Sequence, residues 1–165
     1  METERILLRH WQESDAEALF KYASDPDVGP RAGWPAHKSV EESREIIRTF
    51  FNNDTTWAIV LKETGEAIGC IGYYTHETSN IPIGKNDCEV GYWVGKPYWN
   101  KGICTEALKL MLDYFHQASG IDHCIIDRSL IGHKRHVCDQ QSVFDAAGNR
   151  CAVMDHILHR YGERV

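Results

Sequence analysis

The sequence predicts one domain of mixed α/β class, of the α+β type, and four observations carry that expectation. In the stretch Cys88 to Phe115, Val90, Tyr92 and Val94 alternate with Gly91, Trp93 and Gly95, the period of a strand. After Pro97 and Gly102, the run Thr105 to Phe115 is rich in Ala, Leu, Met, Lys and Glu, which favour a helix. Earlier, Ser14 and Ser39 are each followed three residues later by Glu, the signature of a capped helix start. Two apolar runs on either side of Thr64-Gly65 read as a hairpin. At 165 residues the chain is long enough to close one sizeable core.

Taken in order, Arg5 to His10 is a short apolar run in polar surroundings, suited to an edge strand. Ser14-Asp15-Ala16-Glu17 opens a first helix through Ala18, Leu19, Tyr22 and Ala23, which ends near Asp25-Pro26 because the residue before a proline leaves the helical region. Gly29, Pro30, Gly33 and Pro35 keep Val28 to Lys38 from regular structure, so this segment is a loop, and it carries Arg31, Trp34 and His37. Ser39-Val40-Glu41-Glu42 opens a second helix, with Val40, Ile46, Ile47, Phe50 and Phe51 near helical spacing through Asn52. Trp57 to Leu61 and Ala67 to Tyr74 are the strands of the hairpin, and Thr75 to Asn86 is a polar, exposed connection into the central strand. Beyond the central helix, Ile121 to Ile126 suits a fifth strand and Val153 to Leu158 an apolar patch on a short helix.

A formal net charge of −6 and a pI near 5.8 give no general attraction to nucleic acid or to an anionic membrane surface, and neither is an expected partner. No apolar run approaches the length of a membrane span, and the opening Met-Glu-Thr-Glu-Arg lacks the apolar region of a signal peptide, so a cytoplasmic protein is expected. The six cysteines include no Cys-x-x-Cys pair and read as reduced core thiols. Past Phe115 the character of the chain changes: acidic and basic residues balance, histidines gather, and the aromatic residues thin to Phe144 and Tyr161. His133-x-x-His136-x-Cys138, with His123 and Cys124 nearby, supplies imidazole and thiolate at a spacing that matches no standard zinc site, and no metal is expected.

The central stretch is also where chemistry is expected. A strand that feeds a glycine-bearing turn and then a helix leaves the N–H groups of the first helical turn aimed at one spot, where the helix dipole adds positive charge and an anion such as phosphate is favoured. Neither a Walker loop nor a three-glycine dinucleotide fingerprint is present. Instead, Trp99-Asn100-Lys101-Gly102-Ile103-Cys104-Thr105-Glu106-Ala107 resembles the acyl-CoA pyrophosphate loop of the GNAT superfamily of N-acetyltransferases, whose pattern is Gln/Arg-x-x-Gly-x-Gly/Ala. It is most similar to the RimJ/RimL-like branch, where Trp-x-x-Gly-x-x-Thr-Glu-Ala follows a strand reading Glu-x-Gly-Tyr, here Glu89-Val90-Gly91-Tyr92. Thr3 to Arg9 looks like the opening strand of that branch, and Gly33-Trp34-Pro35 like its substrate-side loop. The resemblance covers roughly residues 3 to 120. The whole chain, 1–165, is then one GNAT-like domain with a divergent C-terminal region, 116–165, which lacks the family's Asn-x-x-Ser motif and Lys-x-Gly-Phe turn.

The resemblance implies a twisted, mainly antiparallel sheet flanked by helices, with a cleft between the fourth and fifth strands. It implies transfer of the acetyl group of acetyl-CoA to a primary amine, on a protein N-terminus or a small molecule, by direct attack in a ternary complex. Backbone amides of Lys101, Gly102, Ile103, Cys104 and Thr105 would hold the pyrophosphate, and those of Trp93 and Val94 would face the thioester oxygen. Glu89 would be the general base, through a water, and Trp34 a substrate contact. Cys104 stands where relatives have Gly or Ala and is no nucleophile in a direct transfer; Glu106 is expected to be structural. Tyr161, the only tyrosine left for the general-acid position, is given no role. The resemblance leaves room for a homodimer. The alternative is a GNAT-like binding module that keeps the fold without catalysis.

Overall fold

The computed structural model describes residues 1–79, 81–117, 121, 123–126 and 142–145. Strands β1 (Ile6–Arg9), β2 (Thr56–Leu61), β3 (Glu66–Thr75), β4 (Asp87–Val94), β5 (His123–Ile126) and β6 (Ser142–Asp145) form one sheet in the order of the chain. Every neighbouring pair is antiparallel except β4 and β5, which the helix α3 (Ile103–Gln117) joins as a parallel crossover. Helices α1 (Ala16–Ala23) and α2 (Val40–Ile46) precede the hairpin β2–β3. This is the mixed α/β, mainly antiparallel architecture expected from the sequence.

Strand alternation divides the apolar residues between two faces. Trp57 and Ile59 of β2, Ile68 and Ile71 of β3, and Cys88, Val90 and Val94 of β4 pack with Ile103, Ala107, Met111 and Phe115, which recur every four residues along α3. Ala58, Val60, Ala67 and Cys70 face the other way, onto Trp11, Leu19 and Ala23 of the α1 side and Ile47 after α2. Between β2 and β3, Ile59 pairs with Gly69 and Val60 with Ala67, so Ile68 is an extra residue in β3, a bulge that sharpens the local twist. Gly69 lies against the neighbouring strand so closely that a Cβ there would fall 2.7 Å from Val94 Cγ1. Cys70, Cys88 and Cys124 are buried free thiols, as expected, and Cys88 and Cys124 touch at 3.3 Å between Sγ atoms across the β4–β5 pair.

Local differences from the sequence reading have local causes. The chain enters α1 through a 3-10 turn at Glu13–Asp15 and not through a Ser14 cap: the Asp15 carboxylate accepts from the Gln12 N–H at 2.9 Å, across that turn, and from both terminal nitrogens of Arg9 at 2.7 and 2.8 Å. A carboxylate bonded to a guanidinium is a stronger acceptor than a hydroxyl, and its bond to the Gln12 N–H closes the 3-10 turn at Glu13–Asp15 ahead of α1. Ser39 caps α2 as its spacing predicts, accepting from the Glu42 N–H at 3.0 Å. The helix through Asn52, however, loosens into a π turn at Ile47–Phe51. Tyr161, the motif His133 to Cys138 and the patch Val153 to Leu158 lie outside the described residues, whereas β6 supplies a sixth strand within the divergent region.

Candidate active site

The site begins where β4 and β5 part. β5 pairs with Asp87, Cys88 and Glu89, and the rest of β4, Val90 to Val94, has no described strand on that edge. On the other edge the Gly95 N–H donates to Ile68 C=O at 2.8 Å just beyond the Gly69–Val94 pair, which marks that pair as the wide kind and gives Trp93 and Cys70 to each other. By alternation the N–H groups of Gly91 and Trp93 lie in the β3 ladder, while those of Val90, Tyr92 and Val94 turn to the open edge. Of the two amides expected at the thioester, the strand therefore turns only that of Val94 to the cleft. Trp93 instead sends its indole to the opposite face of the sheet, among the residues of the α1 side.

At the C-terminal end of β4, the indole Nε1 of Trp99 donates to Val94 C=O at 2.8 Å and the Arg31 guanidinium lies 5.2 Å over the Trp99 ring. The turn that follows places Asn100 and Gly102 in the left-handed region, φ 60° and 77°, and α3 starts at Ile103. The Glu106 N–H is the first to bond back, to Gly102 C=O at 3.0 Å, so the N–H groups of Ile103, Cys104 and Thr105 have no intrahelical acceptor and converge past Gly102. Lys101 holds its ammonium 5.5 Å over the Tyr98 ring beside this turn. Glu106 is structural, as expected: it accepts from Thr3 Oγ1 and from Arg5 Nε at 2.8 Å, while Arg5 Nη1 donates to Lys101 C=O at 3.2 Å. Burial raises the Glu106 pKa, but Thr3 and Arg5 outweigh it and hold the carboxyl below its ordinary value. Burial pushes the Cys104 thiol up to about 11, which keeps it protonated and suits its reading as a small packing residue.

On the α1 side, a cavity of about 680 Å³ lies over β3 and β4. Glu89 stands in its wall at 4% exposure, with the Ser79 hydroxyl 2.7 Å from Oε2. Trp34 meets Trp93 edge to face, with centroids 5.6 Å apart, and both line the same space. Two of the residues singled out from sequence, Glu89 and Trp34, are thus brought to one cavity, and the pyrophosphate-type turn lies at the far end of the strand that carries Glu89.

Two cavity residues, His37 and Tyr74, and the Glu89 partner Ser79 had no assigned role in the sequence reading. His37 bonds through Nδ1 to Ser43 Oγ at 2.8 Å; since Ser43 donates to Ser39 C=O, the imidazole is the donor and Nε2 is left as acceptor. Burial lowers its pKa. Tyr74 pairs with Glu89 across β3 and β4, and burial raises its phenol. Ser79 comes from the connection Thr75 to Asn86, where no periodicity marks a residue that folds back onto the next strand.

Residues 5–131 match the family described as acetyltransferase (GNAT) domain. The chain belongs to the GNAT acetyltransferase family. It is 32% identical over 119 residues to the uncharacterized N-acetyltransferase p20 of Bacillus licheniformis, a match covering 68% of this chain and 63% of p20. To the uncharacterized N-acetyltransferase YoaA of Bacillus subtilis it is 28% identical over 126 residues, 73% of this chain and 68% of YoaA. Among solved structures it is similar to a GNAT-family acetyltransferase from Bacillus anthracis, with TM-score 0.62 and 22% identity over 83% of this chain and 84% of that one. GNAT acetyltransferases take the acetyl group from acetyl-CoA. The parted strands leave an open main-chain edge, and the turn before α3 brings together amides of the kind that receive an anion. No helix among the described residues is long and apolar enough to cross a membrane.

Proposed function

We propose that this GNAT domain transfers the acetyl group of acetyl-CoA to a primary amine by direct attack. The observation that carries the reading is the position of β4: its open edge leads from the convergent amides of Ile103 to Thr105 toward the strand pair where Glu89 faces the cavity over β3 and β4. The thioester supplies an activated acetyl carbon. The open-edge N–H groups of β4, from Val90 and Tyr92 to Val94, are oriented to bond the donor's carbonyl oxygen as it gains charge. Glu89 takes a proton from the acceptor ammonium through a water, so that the neutral nitrogen forms the C–N bond as the C–S bond breaks. The thiolate leaves with CoA and takes up a proton from solvent. Ser79 holds the Glu89 carboxylate in place, and the protonated Cys104 forms no acyl intermediate.

Calorimetric titration with acetyl-CoA and thiol-release assays with a panel of amines test the reading, with Glu89→Gln as the variant. The amide keeps the shape and loses the base, so kcat/KM should fall roughly 100-fold while the acetyl-CoA affinity holds. A fall below about threefold would remove Glu89 from the role of base.

A further inference from the structure

Which amine reaches Glu89 is decided by the rest of the cavity, and this step rests on the transfer reading above. The lining includes Trp34 and Trp93, which meet edge to face, Phe50 and Phe51 from the π turn, and Leu19 and Ile46, with Asn53, Thr55, Thr56 and Thr78 as polar members. Phe50 is 67% exposed, so a large apolar ring is held in water at a lining position. Among the described residues that line the cavity there is no lysine or arginine, and Glu89 is the only carboxylate. The cavity overlies the face of β3 and β4, where residues 70 to 74 and 89 to 93 pair in register, so the main-chain groups on that edge are spent in the ladder. A peptide would bring an N–H and a C=O with every residue and find on this face side-chain partners such as Asn53, Thr55, Thr56 and Thr78 but no open strand ladder between β3 and β4.

From this arrangement we infer that the acceptor is a small primary amine joined by a short chain to an uncharged aromatic or bulky apolar body, and that an acceptor carrying a carboxylate next to its amine is rejected. The ammonium end is matched to Glu89 and the body to the Trp34, Trp93 and Phe51 walls. An α-carboxylate would enter beside the Glu89 carboxylate with no lysine or arginine among the described lining residues to receive it, and the cost of that like charge falls on binding and transfer together.

The test compares 2-phenylethylamine, phenylalanine, spermidine and a peptide with phenylalanine at its N-terminus. Binding of each to the acetyl-CoA-saturated protein is followed by quenching of indole fluorescence, and transfer by thiol release. The expected result is a kcat/KM for 2-phenylethylamine about 100-fold above that for phenylalanine or spermidine, with Trp34→Ala raising the KM for 2-phenylethylamine about tenfold and leaving the acetyl-CoA Kd unchanged. Preference for the peptide or for spermidine would overturn the inference, as would Trp34→Ala weakening all acceptors alike. If 2-phenylethylamine binds selectively and no amine turns over, the acceptor inference stands and the transfer reading fails. If amines turn over without that selectivity, the transfer reading stands and the acceptor inference fails.

Discussion

Replacing Gly102 separates two effects that meet at one residue. Its φ of 77° lies in the left-handed region, so any side chain there costs about 1–2 kcal/mol of backbone strain. A Cβ would meet only Arg5 Nη2, at 3.8 Å, an ordinary contact, so no steric cost adds to the strain. Gly102→Ala is therefore expected to lower Tm by roughly 5 °C and to keep most of the acetyl-CoA affinity. Gly102→Glu carries the same strain, offset by about 0.5 kcal/mol because a carboxylate at the start of α3 is favoured by the helix dipole. That carboxylate, however, can itself occupy the amides of Ile103, Cys104 and Thr105. Displacing a ligand anion from two charge-assisted bonds costs at least about 3 kcal/mol, a roughly 100-fold weaker Kd. Calorimetric titration and thermal unfolding of the two variants give both numbers. If Ala and Glu weaken acetyl-CoA equally, the loss is one of loop geometry, and if neither weakens it, the phosphates are not held at this turn.

Two further outcomes follow from packing and protonation. A Cβ on Gly95 would fall 2.7 Å from the Cγ of Tyr22, a buried ring braced edge to face by Tyr98, so Gly95→Ala should cost about 1–3 kcal/mol in denaturant unfolding; an unchanged midpoint would mean the ring gives way. For His37, burial lowers the folded pKa below the ordinary 6.5, against a smaller opposing pull from Glu42. As pH falls through 6.5 the unfolded chain binds the proton first, so stability declines from there down to the folded pKa and levels off below it. His37→Gln should flatten that decline in Tm between pH 7 and 5, and an identical slope in wild type and variant would assign it to other groups.

The legible part of the fold was the part set by local pattern. Period-2 alternation gave β4, the Thr64-Gly65 turn with its flanking runs gave the hairpin, and Ser39 gave the start of α2, because each depends on residues a few positions apart. Ser14 misled because the chain enters α1 through a 3-10 turn in which Asp15, held by Arg9, accepts from the Gln12 N–H, and that pairing becomes visible only when β1 lies beside α1. The loop and strand of the site were readable because they form one continuous motif, Glu89 to Ala107.

By itself, the sequence determined the mixed class, the order of elements and the amide turn before α3, since strand period, helix propensity and the glycine at Gly102 act over short range. The tertiary structure decided what those elements enclose. It turned Val94 and not Trp93 to the open edge, through a β3–β4 register that the local pattern of β4 does not contain. It brought Ser79 onto Glu89, and Trp34, Phe51 and Tyr74 around one cavity, from segments separated along the chain. Contacts of that kind are selected by the closing of two cores on one sheet, a long-range gain in buried apolar surface that no short stretch of residues encodes.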